Sequence, residues 1–237
     1  ATTVKIDIWS DVACPWCYIG KRRFEKALTA FPHRDHVTVR YHSYQLDPGL
    51  PEHYDGTELE YLASRKGMPE SQVVQMFRHV SEQATGEGLH YDFENLQVAN
   101  SLRAHQLLHL AKRYDVDAEV KESLLSAHFE HGKDIGDEDT LVTIGTGVGV
   151  PEQEIREELA TGALIPAVQA DVEEATALGI RAVPTYVLDM TFAVSGAQSP
   201  DVFAQALQQA WLAKNPLVQL GDESTDQADA CGPDGCA

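Results

Sequence analysis

The chain has 237 residues, with 37 acidic against 18 basic side chains and a net charge of −19. That surface excludes nucleic acid and anionic membrane as natural partners, because both attract basic protein, and no apolar run approaches the roughly 20 residues that cross a bilayer. At 43% hydrophobic and 8% aromatic, the composition suits one large packed domain, or a small one carrying a big insertion.

Ala1-Thr2-Thr3 lacks the basic opening of a signal peptide, so the sequence predicts a cytoplasmic protein. In that reducing compartment a close cysteine pair is expected to be catalytic rather than a structural staple. The run Val4-Lys5-Ile6-Asp7-Ile8-Trp9 predicts a strand, and Tyr18 to Ala30 a helix. Between them stands Cys14-Pro15-Trp16-Cys17. A strand feeding a helix through C-x-x-C places the first cysteine on the helix N-terminus, where unpaired N–H groups and the helix dipole favour a thiolate. Pro15 suits the first helical position, since the N–H it lacks would have no partner there. Cys17, one turn further, is expected deeper and able to close a disulfide with Cys14. The competing readings are half of a zinc site or two inert cysteines. Zinc needs four ligands, and Cys231 and Cys236 lie at the far end with the wrong spacing, so no metal is expected.

His36 to Tyr44 alternates apolar and polar residues and predicts a second strand, completing a βαβ unit. Helical patterns follow: Thr57 to Lys66, Pro69 to Thr85, Asn95 to Tyr114, Asp117 to His131, and two or three shorter helices from Glu138 to Leu178. Strand character returns at Val183 to Leu188, turns at Asp189-Met190, and pairs back through Thr191 to Ser195. A last helix runs from Asp201 to Lys214. The domain reading is therefore 1–50 and 181–216 as two halves of one α/β fold, 51–180 as a helical insertion, and 217–237 as an acidic tail expected to be disordered.

That order, βαβ then ββα with C-x-x-C at the first strand–helix junction, resembles the thioredoxin fold, and the helical insertion between the second and third strands resembles the DsbA group within it. Asp11-Val-Ala-Cys14-Pro-Trp-Cys17-Tyr-Ile-Gly20, Asn100-Ser-Leu-Arg-Ala-His105, Val183-Pro184-Thr185 and Ser195-Gly-Ala-Gln198 are similar to FrnE-type dithiol oxidoreductases. The resemblance implies a protein-disulfide oxidoreductase or isomerase in which Cys14 attacks and Cys17 resolves. It further implies a cis Pro184 facing the cysteines, with Val183 offering backbone to an extended client. A proline inside a strand-like run independently suggests special geometry. Many DsbA-type motifs carry histidine between the cysteines; Pro-Trp here implies a weaker oxidant.

Other signals are weaker. Trp16 is either an apolar platform beside Cys14 or a tryptophan folded against the insertion. Asp7 is a candidate proton acceptor for Cys17, or an outward-facing strand residue. His105, with Asn100, approaches the cysteines or is an ordinary helix residue. Lys21, Arg22 and Arg23 read as a solvated helix face more than a source of potential at Cys14. Cys231-Gly-Pro-Asp-Gly-Cys236 suits a tight reversal; a disulfide there adds only about 2 kcal/mol. It is read as a second redox pair, a staple or an idle end, and a tether of that length gives roughly millimolar effective concentration. No cofactor is expected, only client proteins with thiols or disulfides and an unidentified thiol donor or acceptor. Two rivals stand beside this: a glutathione-dependent isomerase or transferase of the kappa class, whose members carry serine at the Cys14 position, and a chaperone that uses its groove with the cysteines incidental.

Overall fold

The computed structural model describes residues 3–218, 220, 231–232 and 235–236. Its centre is β1 (Val4–Ser10), buried from Ile6 onward, with Val4, Ile6 and Ile8 on one face and Trp9 with Asp7 on the other. β2 (Val37–Ser43) pairs with it in parallel, Ile6 opposite Val39, and β3 (Thr185–Leu188) pairs antiparallel on the other side, Ile8 opposite Tyr186. β4 (Phe192–Ser195) completes the order β2-β1-β3-β4. The β3–β4 turn places both Asp189 and Met190 at φ +52°, the arrangement whose twist matches a hairpin.

On one face α1 (Pro15–Ala30) and α9 (Pro200–Lys214) pack on Ile6, Ile8, Tyr186 and Leu188 through Phe24 and Phe203. The predicted helical stretch resolves into α2 (Glu58–Arg65), α3 (Glu70–Gly86), α4 (Leu102–Lys112), α5 (Asp117–Phe129), α6 (Glu138–Thr146), α7 (Glu152–Thr161) and α8 (Ile165–Ala177). Of these, α8 covers the second face of the sheet, where Ala175 meets Trp9 and Val187. α2 to α7 stand beyond the sheet, and their inner residues form cores of their own around Leu107, Leu124 and Phe129. A capping box, Thr57 with Glu60, starts α2.

Two expectations are corrected. The helix predicted from Asn95 begins only at Leu102. Asn95 bonds back to Asp92, while the Asn100 side chain donates to the carbonyls of Pro48 and Leu50 and accepts from Leu102 N–H. Those side-chain bonds, local at Asp92 and Leu102 and long-range at Pro48 and Leu50, outcompete the helical ladder, and Leu96, Val98 and Ala99 are buried from a non-helical segment instead. Nor are Lys21, Arg22 and Arg23 a solvated face. Lys21 is buried and pairs with Glu25 and Glu122, Arg22 pairs with Glu122, and Arg23 pairs with Glu87 at 3.0 Å while donating to the Ala197 carbonyl. They fasten α1 to the insertion.

The predicted disorder of 217–237 lies largely outside the described residues. Leu217, Val218 and Leu220 are exposed. The backbone of Cys231–Gly232 pairs antiparallel with Gly235–Cys236, Cys231 opposite Cys236; the state of those two thiols lies outside the described residues.

Candidate active site

Cys14 is the N-cap of α1, with extended backbone (φ −96°, ψ 115°), and Pro15 occupies the first turn. A turn bond from Cys14 N–H to the Asp11 carbonyl (3.2 Å) aims the chain into the helix. The Tyr91 hydroxyl, brought by the loop after α3, donates to the Pro15 carbonyl at 2.6 Å and fixes the first turn from the insertion side. The Val183–Pro184 bond is cis, and the Cys14 thiol lies 3.7 Å from the Val183 carbonyl as a hydrogen-bond donor. Gly20 lets this loop close on α1: a Cβ there would meet the Tyr186 hydroxyl at 2.7 Å and Pro184 Cγ at 3.2 Å.

Cys14 and Cys17 are free thiols, both nearly enclosed at 4% and 3% exposure. Burial pushes the Cys17 thiol well above its ordinary range, and its hydrogen bond to Cys14 adds to this. The amine of Lys121 on α5 opposes that rise, although burial lowers the amine itself to about 8. Lys121 rests over the Tyr41 ring at 5.0 Å.

Behind the cysteines, Asp11 is 1% exposed and accepts from His105 Nε2 at 3.0 Å and from Leu46 N–H at 2.9 Å. Burial alone would raise Asp11, but the bond and charge of His105, with Leu46 and Ser101, hold it below the usual carboxylate range. His128, also on α5, is buried with Nδ1 lacking a partner among the described residues, and burial pushes it down to about 4, so its ring is neutral.

In front of Cys14 opens a cleft of about 320 Å³. Cys14, Pro15, Trp16 and Val183 form one side, and Leu62, Met76, Phe77 and Phe93 of the insertion form the other. Polar groups enter it at Asp47, Glu58, Lys66 and His128. A thiol at the rim of an apolar cleft, with a second thiol one turn behind it, has the parts for thiol–disulfide exchange.

The structure thus gathers Cys14, Cys17, Trp16, Val183 and Pro184. His105 reaches the site through Asp11. Trp16 is half-buried against the insertion, 5.8 Å from the His79 ring, and lines the cleft as well. Asp7 is placed elsewhere: it faces α8 and takes a 2.6 Å bond from His42, whose other nitrogen reaches Asp171 at 3.2 Å. Among the described residues His42, Asp171 and Glu174 bring ligand atoms within 4.8 Å of one another, the spacing of a metal site, but both nitrogens of His42 are already engaged by carboxylates.

Sequence reasoning missed Asp11, Glu58, Lys121 and His128 as site residues. The available signal was on α5, where Lys121 and His128 share a stripe with Leu124 and Leu125; a lysine in a buried stripe is rare without a partner.

Known proteins agree with this architecture. The model of the DSBA-like thioredoxin domain matches residues 5–208. A probable DsbA oxidoreductase from Streptomyces coelicolor is 40% identical, with a TM-score of 0.85 over 99% of this chain and 98% of that one. The Bacillus subtilis protein YwbO is 28% identical over 86% of this chain and 96% of its own length. The cytosolic disulfide reductase DsbM of Pseudomonas aeruginosa, 16% identical, shares the fold with a TM-score of 0.60 over 86% of this chain and 97% of its own. Among the described residues no helix is long and apolar enough to cross a membrane. With the cysteine pair, the cis-proline loop and the inserted helices each in place, the chain belongs to the DSBA-like thioredoxin domain family and is a thiol–disulfide oxidoreductase.

Proposed function

We propose that the protein is a cytosolic, FrnE-type dithiol oxidoreductase that reduces or isomerises disulfides of client proteins, with Cys14 as nucleophile and Cys17 as resolving thiol. The observation that carries the assignment is the position of Cys14: at the helix N-cap, on the cleft, and within 3.7 Å of the Val183 carbonyl beside the cis-proline. The Cys14 thiolate attacks one sulfur of a client disulfide. The Cys14–client mixed disulfide forms, and the other client sulfur leaves as a thiolate that takes up a proton. Cys17 then gives up its proton and attacks the Cys14 sulfur, releasing the client as a thiol and leaving a Cys14–Cys17 disulfide. Two electrons have passed to the client, and an external thiol restores the pair.

Lys121 supports the second half of this cycle, because a cation facing buried Cys17 favours the thiolate that resolution needs. Lys121 is 1% exposed, so its charge is weakly screened. Val183 and Pro184 form the wall against which an extended client lies. The name of the DsbM neighbour, a cytosolic reductase, supports the cytosolic reading. Cys231 and Cys236 are proposed as a second dithiol that exchanges with the first. Insulin-disulfide reduction tests all of this: Cys14→Ser should lower the rate at least a hundredfold, Cys17→Ser should trap mixed disulfides, and Cys231→Ser/Cys236→Ser should slow recycling only. Retained isomerase activity in Cys14→Ser would overturn the assignment in favour of a kappa-class reaction.

A further inference from the structure

Of the acidic and basic residues lining the Cys14 cleft, all but Glu58 have a partner among the described residues. Asp11 is matched by His105. Asp47 is matched by Arg65 at 2.7 Å, by Lys66 at 3.6 Å and by the Tyr61 hydroxyl, and these hold its carboxyl near 2, chiefly through Arg65. Lys66 is thereby matched as well. Glu58, in the first turn of α2, has neither ion pair nor hydrogen bond among the described residues, yet it is half-buried and burial raises its carboxyl to about 7. A second unfilled group lines the same cleft: His128, 3% exposed, whose Nδ1 has no partner among the described residues.

Between these groups the walls are Leu62, Met76, Phe77 and Phe93. Apolar walls ending on an unmatched carboxyl and a neutral imidazole complement a long side chain with a hydrocarbon stem and a cationic head. A wholly apolar client residue would leave both polar groups unsatisfied, and an acidic one would add repulsion. The net charge of −19 favours the same class of client.

We propose that the cleft is a side-chain pocket for a lysine or arginine flanking the client cysteine, with Glu58 as its specificity-determining residue. This rests on the dithiol reading above: Cys14 attacks the client disulfide while the neighbouring basic side chain lies across Leu62 and Phe77 with its cation on Glu58. The carboxyl takes no part in the exchange itself.

The test is single-turnover reduction, by the reduced full-length protein, of short peptides that carry an internal disulfide and Lys, Leu or Glu at positions one to three from the attacked cysteine. The expected order of second-order rate constants is Lys above Leu above Glu, with at least a tenfold span from first to last at one of those positions. In Glu58→Gln the Lys-to-Leu ratio should fall at least fivefold, and Glu58→Lys should invert the order of Lys and Glu. Indifference of the wild type to all three residues at every position would overturn the proposal, whatever the variants do. So would an equal loss on all peptides in Glu58→Gln, which would mark the residue as structural. The dithiol reading fails separately, if the wild type reduces none of the peptides.

Discussion

Two histidine–carboxylate clusters draw on one face of α4, His105 in one and His109 a turn later in the other, and their difference separates what holds the fold from what lies behind the cysteines. In the cluster under α8, His42 bonds Asp7 and Asp171, Asp171 also accepts from His109 (3.0 Å) and from Ser43 N–H (2.8 Å), and Trp9 stacks on His42 at 4.4 Å. Both oxygens of Asp171 and both nitrogens of His42 are in use. Behind Cys14, Asp11 is satisfied but its histidines are not: Nδ1 of His105 and Nδ1 of His128 are buried without partners among the described residues. Saturated polar clusters tie elements together; buried polar groups left open cost stability, and proteins retain such costs chiefly at sites of function.

The sharpest way to break this contrast is to remove one carboxylate from each cluster. Asp11→Ala leaves His105 wholly enclosed without its partner and should destabilise by about 3–5 kcal/mol in urea unfolding, with client reduction impaired in the fraction that folds. Asp171→Ala should cost about 2 kcal/mol and leave the rate of the folded protein unchanged. Similar losses of rate in both would erase the distinction.

The two clusters also predict opposite responses to pH. Burial opposes protonation of His42, but its bonds to Asp171 and Asp7 win and raise it above the usual histidine range. Its contribution is therefore complete below about 6.5 and is lost as pH rises through the folded value. His128 is lowered to about 4 by burial, so the unfolded chain binds its proton first. Stability from this residue is present above about 6.5 and declines on acidification toward 4, by up to roughly 3 kcal/mol. His128→Gln should flatten the acid limb of a thermal-unfolding series, and His42→Gln should flatten the limb above neutrality.

The smallest expected effect concerns Lys121. Replacing it with Met removes a cation that favours the Cys17 thiolate while preserving the packing on Tyr41. Release of client from the mixed disulfide should slow about threefold at pH 7, an estimate for one weakened charge interaction, and recover at higher pH. Unchanged release kinetics would make Lys121 a packing residue.

Local rules made much of this protein readable. Pro15 and Cys14 mark the start of α1, Thr57 the start of α2, and Gly67, Gly132 and Gly179 adopt positive φ after helices that the sequence ends close by. The error at Asn95 arose because the partners that hold Asn100 outside the helix, Pro48 and Leu50, come from another part of the chain. Arg23 looked solvated for the same reason, since Glu87 meets it only after the insertion folds back on α1.

The amino-acid order alone determined the strand–cysteine–helix junction, the parallel and antiparallel halves of the sheet, and the presence of a helical insertion, because each is written in spacing, propensity and turn chemistry between near neighbours. Tertiary packing decided the environment of the two sulfurs. It set Lys121 and His128 from α5 behind them and Glu58 from α2 before them, and it turned Asp7 away toward His42. Proton affinity and unfilled hydrogen-bonding capacity depend on burial and on what stands within a few ångströms, and neither quantity exists until distant segments meet.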